Sequence, residues 1–192
     1  MTHMYLSDLV KSRKTVFSIA DLGKIWKIGD PKYLKVLASR FSKNGQLQRL
    51  KRGIYAISDE YDVFELANKL KAPSYVSLET ILAKESIVFQ DYGQTIFSVS
   101  NNSVIKEATG KSFVYSKIAD EILSNPLGIE FQGQAYVASP ERAVCDRIYL
   151  SPNYHFDNLG PLEPKRLEEI SRIYNRRTQT EVGEILKEIY KR

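Results

Sequence analysis

The chain has 192 residues, of which 43% are hydrophobic and 27% are charged, and this composition is typical of a globular protein that buries its own core. No apolar run approaches the roughly 18 residues needed to cross a bilayer, and residues 1–10 lack the pattern of a signal peptide. Cys145 is the only cysteine, which excludes an internal disulfide. We therefore expect a cytoplasmic protein with no membrane association.

Charge is distributed unevenly along the chain. Residues 1–58 contain twelve Lys and Arg but only three acids, whereas residues 59–192 contain sixteen bases and twenty acids. A compact basic segment joined to an acidic body predicts a polyanionic partner for the first segment only. A basic face that is merely solvated is the alternative that charge alone leaves open.

The first segment begins with three helical patterns. A short helix is expected over residues 4–10. Ser18 and Asp21 form a capping box that starts a second helix, which should end by Gly29. Asp30 as N-cap and Pro31 at the first helical position start a third helix, which extends to about Asn44.

A hairpin pattern follows the third helix. After Gly45 the apolar period changes to two, and strands over residues 47–50 and 54–57 flank a turn at residues 51–53. Three helices followed by a basic hairpin predict a winged helix-turn-helix over residues 1–58.

The third helix meets the two requirements of a DNA-recognition helix. Its apolar stripe predicts that one face is anchored in the core, and basic residues lie on the outward face, which would enter the major groove. Lys and Arg can bond phosphate or guanine, and the short Ser39 permits close approach. We predict that double-stranded DNA is contacted by Lys32, Lys35, Ser39, Arg40 and Lys43 on the helix and by Arg49, Lys51 and Arg52 on the wing. A small helical domain that packs on another protein is the alternative.

Residues 59–192 predict a separate α+β domain. The expected helices cover residues 63–70, 78–85, a segment from 140 onward, 163–174 and 181–190, the last with a Thr178–Glu181 capping box. The expected strands cover residues 95–100 and 113–118, and residues 129–138 form a hairpin. The fold class predicted for the whole chain is α+β, with an N-terminal winged helix-turn-helix and a mixed α/β C-terminal domain.

No pattern predicts a catalytic residue, a cofactor or a metal site. Two histidines and one cysteine are too few for a metal site, and no glycine-rich phosphate loop has a standard spacing. Cys145 is predicted to be a buried thiol, and Arg142 and Asp146 are spaced to pair on one helix. A nuclease guided by a winged helix is a further alternative, in which Glu130 and Asp146 would be essential acids.

Several segments resemble one known family. Residues 17–22, 37–41 and 43–55 look like the N-terminal domain of AbiEi-type antitoxins, and residues 75–80 and 138–146 match later landmarks of that family. The resemblance covers roughly residues 15–150. Its most specific part is the wing combined with the Ser-Pro-Glu-Arg-Ala helix start at residues 139–143.

The resemblance implies a type IV toxin–antitoxin module that acts in abortive infection and phage defence. In such systems the winged helix represses the shared promoter by binding inverted repeats, which suggests pairing of two copies on DNA. The C-terminal domain, here residues 59–192, counteracts a nucleotidyltransferase toxin, usually without a stable complex. We therefore predict a DNA-binding antitoxin and autorepressor that is not an enzyme. The alternative is a stand-alone winged-helix transcription regulator whose C-terminal domain binds a ligand or a partner.

Overall fold

A computed structural model describes residues 2–191 and has the predicted α+β fold. The chain divides into two compact units, which we call the winged-helix unit (Met1–Leu70) and the C-terminal unit (Lys71–Arg192). Among the described residues, no helix combines the length and apolar character that a membrane crossing requires.

The winged-helix unit has four helices and three strands within its described part. In chain order they are α1 (Thr2–Lys11), β1 (Val16–Ser18), α2 (Ile19–Trp26), α3 (Pro31–Lys43), β2 (Gln48–Lys51), β3 (Ile54–Ala56) and α4 (Val63–Leu70). The strands form an antiparallel sheet in the order β1–β3–β2, with β2 and β3 as the wing. This is the topology of a winged helix.

The helix starts follow the local sequence signals. Ser18 accepts a hydrogen bond from the Asp21 backbone nitrogen at 3.1 Å, and the Ser18 nitrogen donates to Asp21 Oδ2 at 3.0 Å, so the predicted capping box is present. Asp30 Oδ1 accepts from the Lys32 nitrogen at 2.8 Å, and Pro31 occupies the first turn of α3.

An apolar cluster holds these helices on the sheet. Trp26 lies at its centre, with its ring centroid 5.2 Å from that of Tyr5 and 5.4 Å from that of Phe41. The Trp26 indole nitrogen also donates to the Tyr5 carbonyl at 3.1 Å, which satisfies its one polar atom. The remaining buried members are Leu9, Phe17, Leu22, Leu34, Leu37, Ala38, Leu47 and Tyr55.

The structure differs from the sequence expectation at the edge of this unit. The boundary between the units follows Leu70, whereas we expected it after Ser58, because α4 belongs with the winged helix. Glu65 on α4 accepts hydrogen bonds from the Thr15 nitrogen at 2.8 Å, the Thr15 hydroxyl at 2.8 Å and the Val16 nitrogen at 3.1 Å. The helix predicted at residues 63–70 is therefore present, and it braces the start of β1.

The C-terminal unit is built on a mixed six-stranded sheet in the order β6–β7–β5–β4–β9–β8. Strands β5 and β7 and strands β4 and β9 pair in parallel, and the other neighbours are antiparallel. The elements are β4 (Ser74–Val76), α5 (Glu79–Lys84), β5 (Thr95–Ser100), β6 (Val104–Ala108), β7 (Lys111–Lys117), α6 (Asp120–Leu123), β8 (Ile129–Gln132), β9 (Ala135–Ala138), α7 (Pro140–Leu150), α8 (Pro164–Ser171) and α9 (Arg176–Ile189).

The start of the last helix corrects a prediction. We expected Thr178 and Glu181 to form a capping box, but α9 begins earlier, with Asn175 as its N-cap. The Asn175 side chain accepts from the Thr178 nitrogen and from the Thr178 hydroxyl, both at 3.0 Å. Asn is as good an N-cap as Ser or Thr, and Asn175 lies three residues upstream, so the helix begins there. Thr178 is therefore inside the first turn, where it is fully buried.

Candidate nucleic-acid interface

Helix α3 is seated closely against α2. Its residues Leu34, Leu37, Ala38 and Phe41 are buried, as the predicted stripe requires. Gly23 on α2 faces Leu34, and a Cβ at position 23 would lie 2.9 Å from Leu34 Cδ1, so a larger residue there would displace the Leu34 side chain. One face of α3 is thus fixed in the core, which leaves the opposite face free to meet a ligand.

The exposed face of α3 carries all five predicted helix contacts. Residues 32, 36, 39 and 43 lie along one line of the helix, because about 3.6 residues make a turn. Lys32, Ser39 and Lys43 are exposed on this line, and Lys35 and Arg40 are exposed on its two flanks. The helix contains no acidic residue. The structure therefore brings these five side chains together on one basic surface, which we call the α3 face.

The cations of the α3 face have no counter-ion in the described part of the chain. Among residues 2–191, no carboxylate oxygen lies within 4.0 Å of the charged nitrogens of Lys32, Lys35, Arg40 or Lys43. Two other cations of the same unit are paired: Lys14 and Lys69 bind Asp21 at 2.7 and 2.9 Å. The four charges of the α3 face are therefore both unpaired and exposed, so a polyanion can reach them.

The wing presents the remaining predicted contacts. Arg49 and Arg52 are exposed, and Lys51 is partly buried. The strands join through Arg52 and Gly53, and Gly53 has a φ of +81°, a conformation that favours glycine. The Gly53 carbonyl accepts from the Ile19 nitrogen at 3.1 Å, which ties the wing to the start of α2. Strand register also shifts between Arg49 and Lys51, as in a β-bulge.

An ionic cluster around Asp21 stiffens the scaffold under the α3 face. Burial would raise the pKa of Asp21, but hydrogen bonds from Lys14, Ser18 and Lys69 outweigh it and hold that pKa well below its ordinary value. Asp21 is thus charged at neutral pH. It joins α2, the segment before β1 and α4.

No family model and no curated protein sequence matches the chain.

A second polar cluster lies in the core of the C-terminal unit. Asp146 is fully buried and accepts from the hydroxyls of Tyr174 at 2.6 Å, Ser77 at 2.7 Å and Tyr75 at 3.0 Å. Arg142, also fully buried, lies 3.5 Å from Asp146, so the predicted pair is present. Both carboxylate oxygens of Asp146 accept hydrogen bonds, so the cluster acts as an internal brace that stabilises the core of the C-terminal unit.

Arg142 extends this brace to a loop. Its guanidinium donates to the carbonyls of Ile122 at 2.6 Å and Leu127 at 2.7 Å, which holds the segment between α6 and β8 against α7. Glu130, the other acid of the nuclease alternative, pairs with Arg166 at 2.9 Å. Cys145 is buried as predicted, and burial raises the pKa of its thiol well above the usual value.

Sequence reasoning missed one residue of the α3 face. Val36 lies on the same line as Lys32, Ser39 and Lys43, and 66% of its surface is exposed. The signal was present, because Val36 is four residues after Lys32 and outside the buried stripe. The predicted contacts are all polar, and they therefore do not include this outward apolar side chain.

Proposed function

We propose that this protein is a transcriptional repressor that binds double-stranded DNA through its winged-helix unit. The observation that carries the proposal is the α3 face, where four unpaired cations surround a short serine on the helix that a winged helix inserts into DNA. In this arrangement α3 enters the major groove. The wing then lies beside the groove, where Arg49 and Arg52 reach the sugar–phosphate backbone.

The physical basis of the proposed binding is counter-ion release together with base contacts. Each phosphate neutralised by Lys or Arg adds about 0.9 to the slope of log affinity against log salt concentration. Arg40 can also make a bidentate hydrogen bond to guanine, which is the commonest specific contact in the major groove. Because the cations of the α3 face pair with no carboxylate that the structure describes, binding does not require an ion pair to be broken first.

A double variant tests the DNA-binding role. We expect Lys35→Ala with Arg40→Ala to weaken binding to the region upstream of the gene by about 10- to 100-fold and to reduce the salt slope by about 1.8. The matched control is Arg176→Ala with Lys187→Ala, which removes the same charges from exposed positions on α9. Fluorescence anisotropy titrations at several salt concentrations give both quantities. Equal affinities for the two double variants would refute the assignment of the α3 face.

The proposal extends further on the strength of the AbiEi resemblance. In this extension the repressor controls its own type IV toxin–antitoxin operon and binds inverted repeats as paired copies. The C-terminal unit opposes a nucleotidyltransferase toxin without a stable complex and without catalysis of its own. Both roles imply a cytoplasmic protein. The stand-alone regulator is the competing function, and a neighbouring gene whose product is not toxic would favour it.

A further inference from the structure

Val36 is the one apolar side chain at the centre of the α3 face. It follows Lys32 by one turn and precedes Ser39 by about one turn, so it lies between two groups that can hydrogen-bond to DNA. Val36 is 66% exposed, although valine is among the residues most often buried. The side chain makes no contribution to the core of the unit, whose α3 members are Leu34, Leu37, Ala38 and Phe41.

We propose that Val36 is a specificity-determining residue that reads thymine through its C5 methyl group. The inference rests on the proposed DNA binding through the α3 face. In the major groove the edges of unmodified base pairs present hydrogen-bond donors and acceptors and one apolar group, the thymine methyl. A valine has no hydrogen-bonding atom in its side chain, so this methyl is the only base feature that it complements.

The neighbouring residues place Val36 at the depth of the base edges. Lys32 and Lys43 are long enough to reach phosphates on either side of the groove, whereas Ser39 is short and keeps the helix close to the bases. A β-branched side chain is also stiff in a helix, so the two methyl groups of Val36 are held in one orientation without loss of further entropy on binding. The cations thus provide affinity, and Val36 distinguishes an A·T pair from the others.

Deoxyuridine provides a direct probe, because it differs from thymidine only by the missing methyl group. The full-length protein is first used to select duplexes from a random-sequence pool, and the consensus is then synthesised with each thymine replaced in turn by deoxyuridine. Anisotropy titrations compare the wild type, Val36→Ala and the control Val10→Ala. Val10 is a helical valine on α1 with 63% of its surface exposed, so the control matches both residue type and exposure.

The proposal predicts a particular pattern of affinities. At one thymine in each half-site, deoxyuridine should weaken wild-type and Val10→Ala binding by about fourfold, the effect of leaving one methyl group unburied. Val36→Ala should bind the thymine and deoxyuridine duplexes within a factor of about 1.5 of each other at that position. A consensus without thymine, or a Val36→Ala protein that keeps the full thymine preference, would overturn the inference and leave DNA binding intact. Failure to enrich any duplex would instead overturn the proposed function on which it rests.

Discussion

At the scale of single residues, Asp21 does more than cap a helix. Its carboxylate receives two ammonium groups and the Ser18 hydroxyl and nitrogen, so one buried charge joins three segments of the winged-helix unit. Removal of this charge would leave Lys14 and Lys69 close together without the carboxylate that binds both of them. Asp21 is not part of the α3 face, but the α3 face depends on the scaffold that Asp21 stabilises.

The first stability prediction follows from Asp21. We expect Asp21→Asn to lower the free energy of unfolding of the winged-helix unit by about 2 kcal/mol at pH 7. Trp26 is the only tryptophan and is buried in this unit, so urea unfolding followed by its fluorescence reports on the unit alone. The control is Asp8→Asn, whose partner Lys11 lies 4.0 Å away at the surface, and we expect a change below about 0.5 kcal/mol.

The effect of Asp21→Asn should also depend on pH with a definite sign. The pKa of Asp21 is lowered in the folded protein, so its contribution is complete above the pKa of an unfolded aspartate, about 3.9. The contribution declines as pH falls below that value toward the folded-state pKa. The difference between wild type and Asp21→Asn should therefore narrow between about pH 4 and pH 2. A difference that stays constant over this range would contradict the ion-pair explanation.

At the scale of secondary-structure elements, α4 is the part of the winged-helix unit that we expected to lie in the C-terminal domain. Glu65 is completely buried, and burial raises its pKa even though three donors bind one of its oxygens. We expect Glu65→Ala to destabilise the unit by about 3 kcal/mol, because buried donors at Thr15 and Val16 lose their acceptor. The measurement is again urea unfolding followed by Trp26 fluorescence.

The control for α4 is Glu60→Ala, an exposed acid just before the helix, for which we expect almost no change in stability. If Glu65→Ala were as stable as this control, α4 would not brace β1. The comparison also sets the boundary for any truncated protein: a chain that ends at Ser58 lacks Glu65, whereas one that ends at Leu70 keeps it.

Local signals explain which elements the sequence could predict. Helix α3 was predicted almost to the residue, because Asp30 and Pro31 mark its start and Gly45 follows its end. Strand β1 was missed, since three residues are too few to show a period of two. Its last residue, Ser18, is also the N-cap of α2, so the segment was interpreted only as a helix start. Strand β4 was missed because it too has only three residues. Strand β6 was missed because its apolar residues do not alternate with polar ones: Ile105 is exposed, whereas Lys106 is partly buried.

The candidate site was more predictable than the elements around it. Helical periodicity alone separates outward residues from the buried stripe, so the exposed positions of Lys32, Lys35 and Arg40 could be read from spacing. Spacing could not show that these cations lack internal partners, because Asp21 binds Lys69, which is far away in sequence, and does not bind Lys32, which is much nearer. That distinction needed the fold.

At the scale of the whole molecule, the two units differ less in net charge when the chain is divided after Leu70 than when it is divided after Ser58. The winged-helix unit contains thirteen basic and seven acidic residues, because α4 and the segment before it add four acids. The C-terminal unit contains fifteen basic and sixteen acidic residues. All eight predicted DNA contacts nevertheless lie in the winged-helix unit, whereas the C-terminal unit has no excess of positive charge to draw it to DNA.

This division predicts separable activities. Residues 1–70 should bind the upstream duplex with the salt slope of the full chain, because every cation of the α3 face and of the wing is retained. In cells that express the toxin gene of the proposed operon, the full chain should restore growth and residues 1–70 should not. The full chain with Lys35→Ala and Arg40→Ala is the reciprocal control, since it should lose DNA affinity but still protect. Growth restored by residues 1–70, or protection lost in the double variant, would mean that the winged helix rather than the C-terminal unit opposes the toxin.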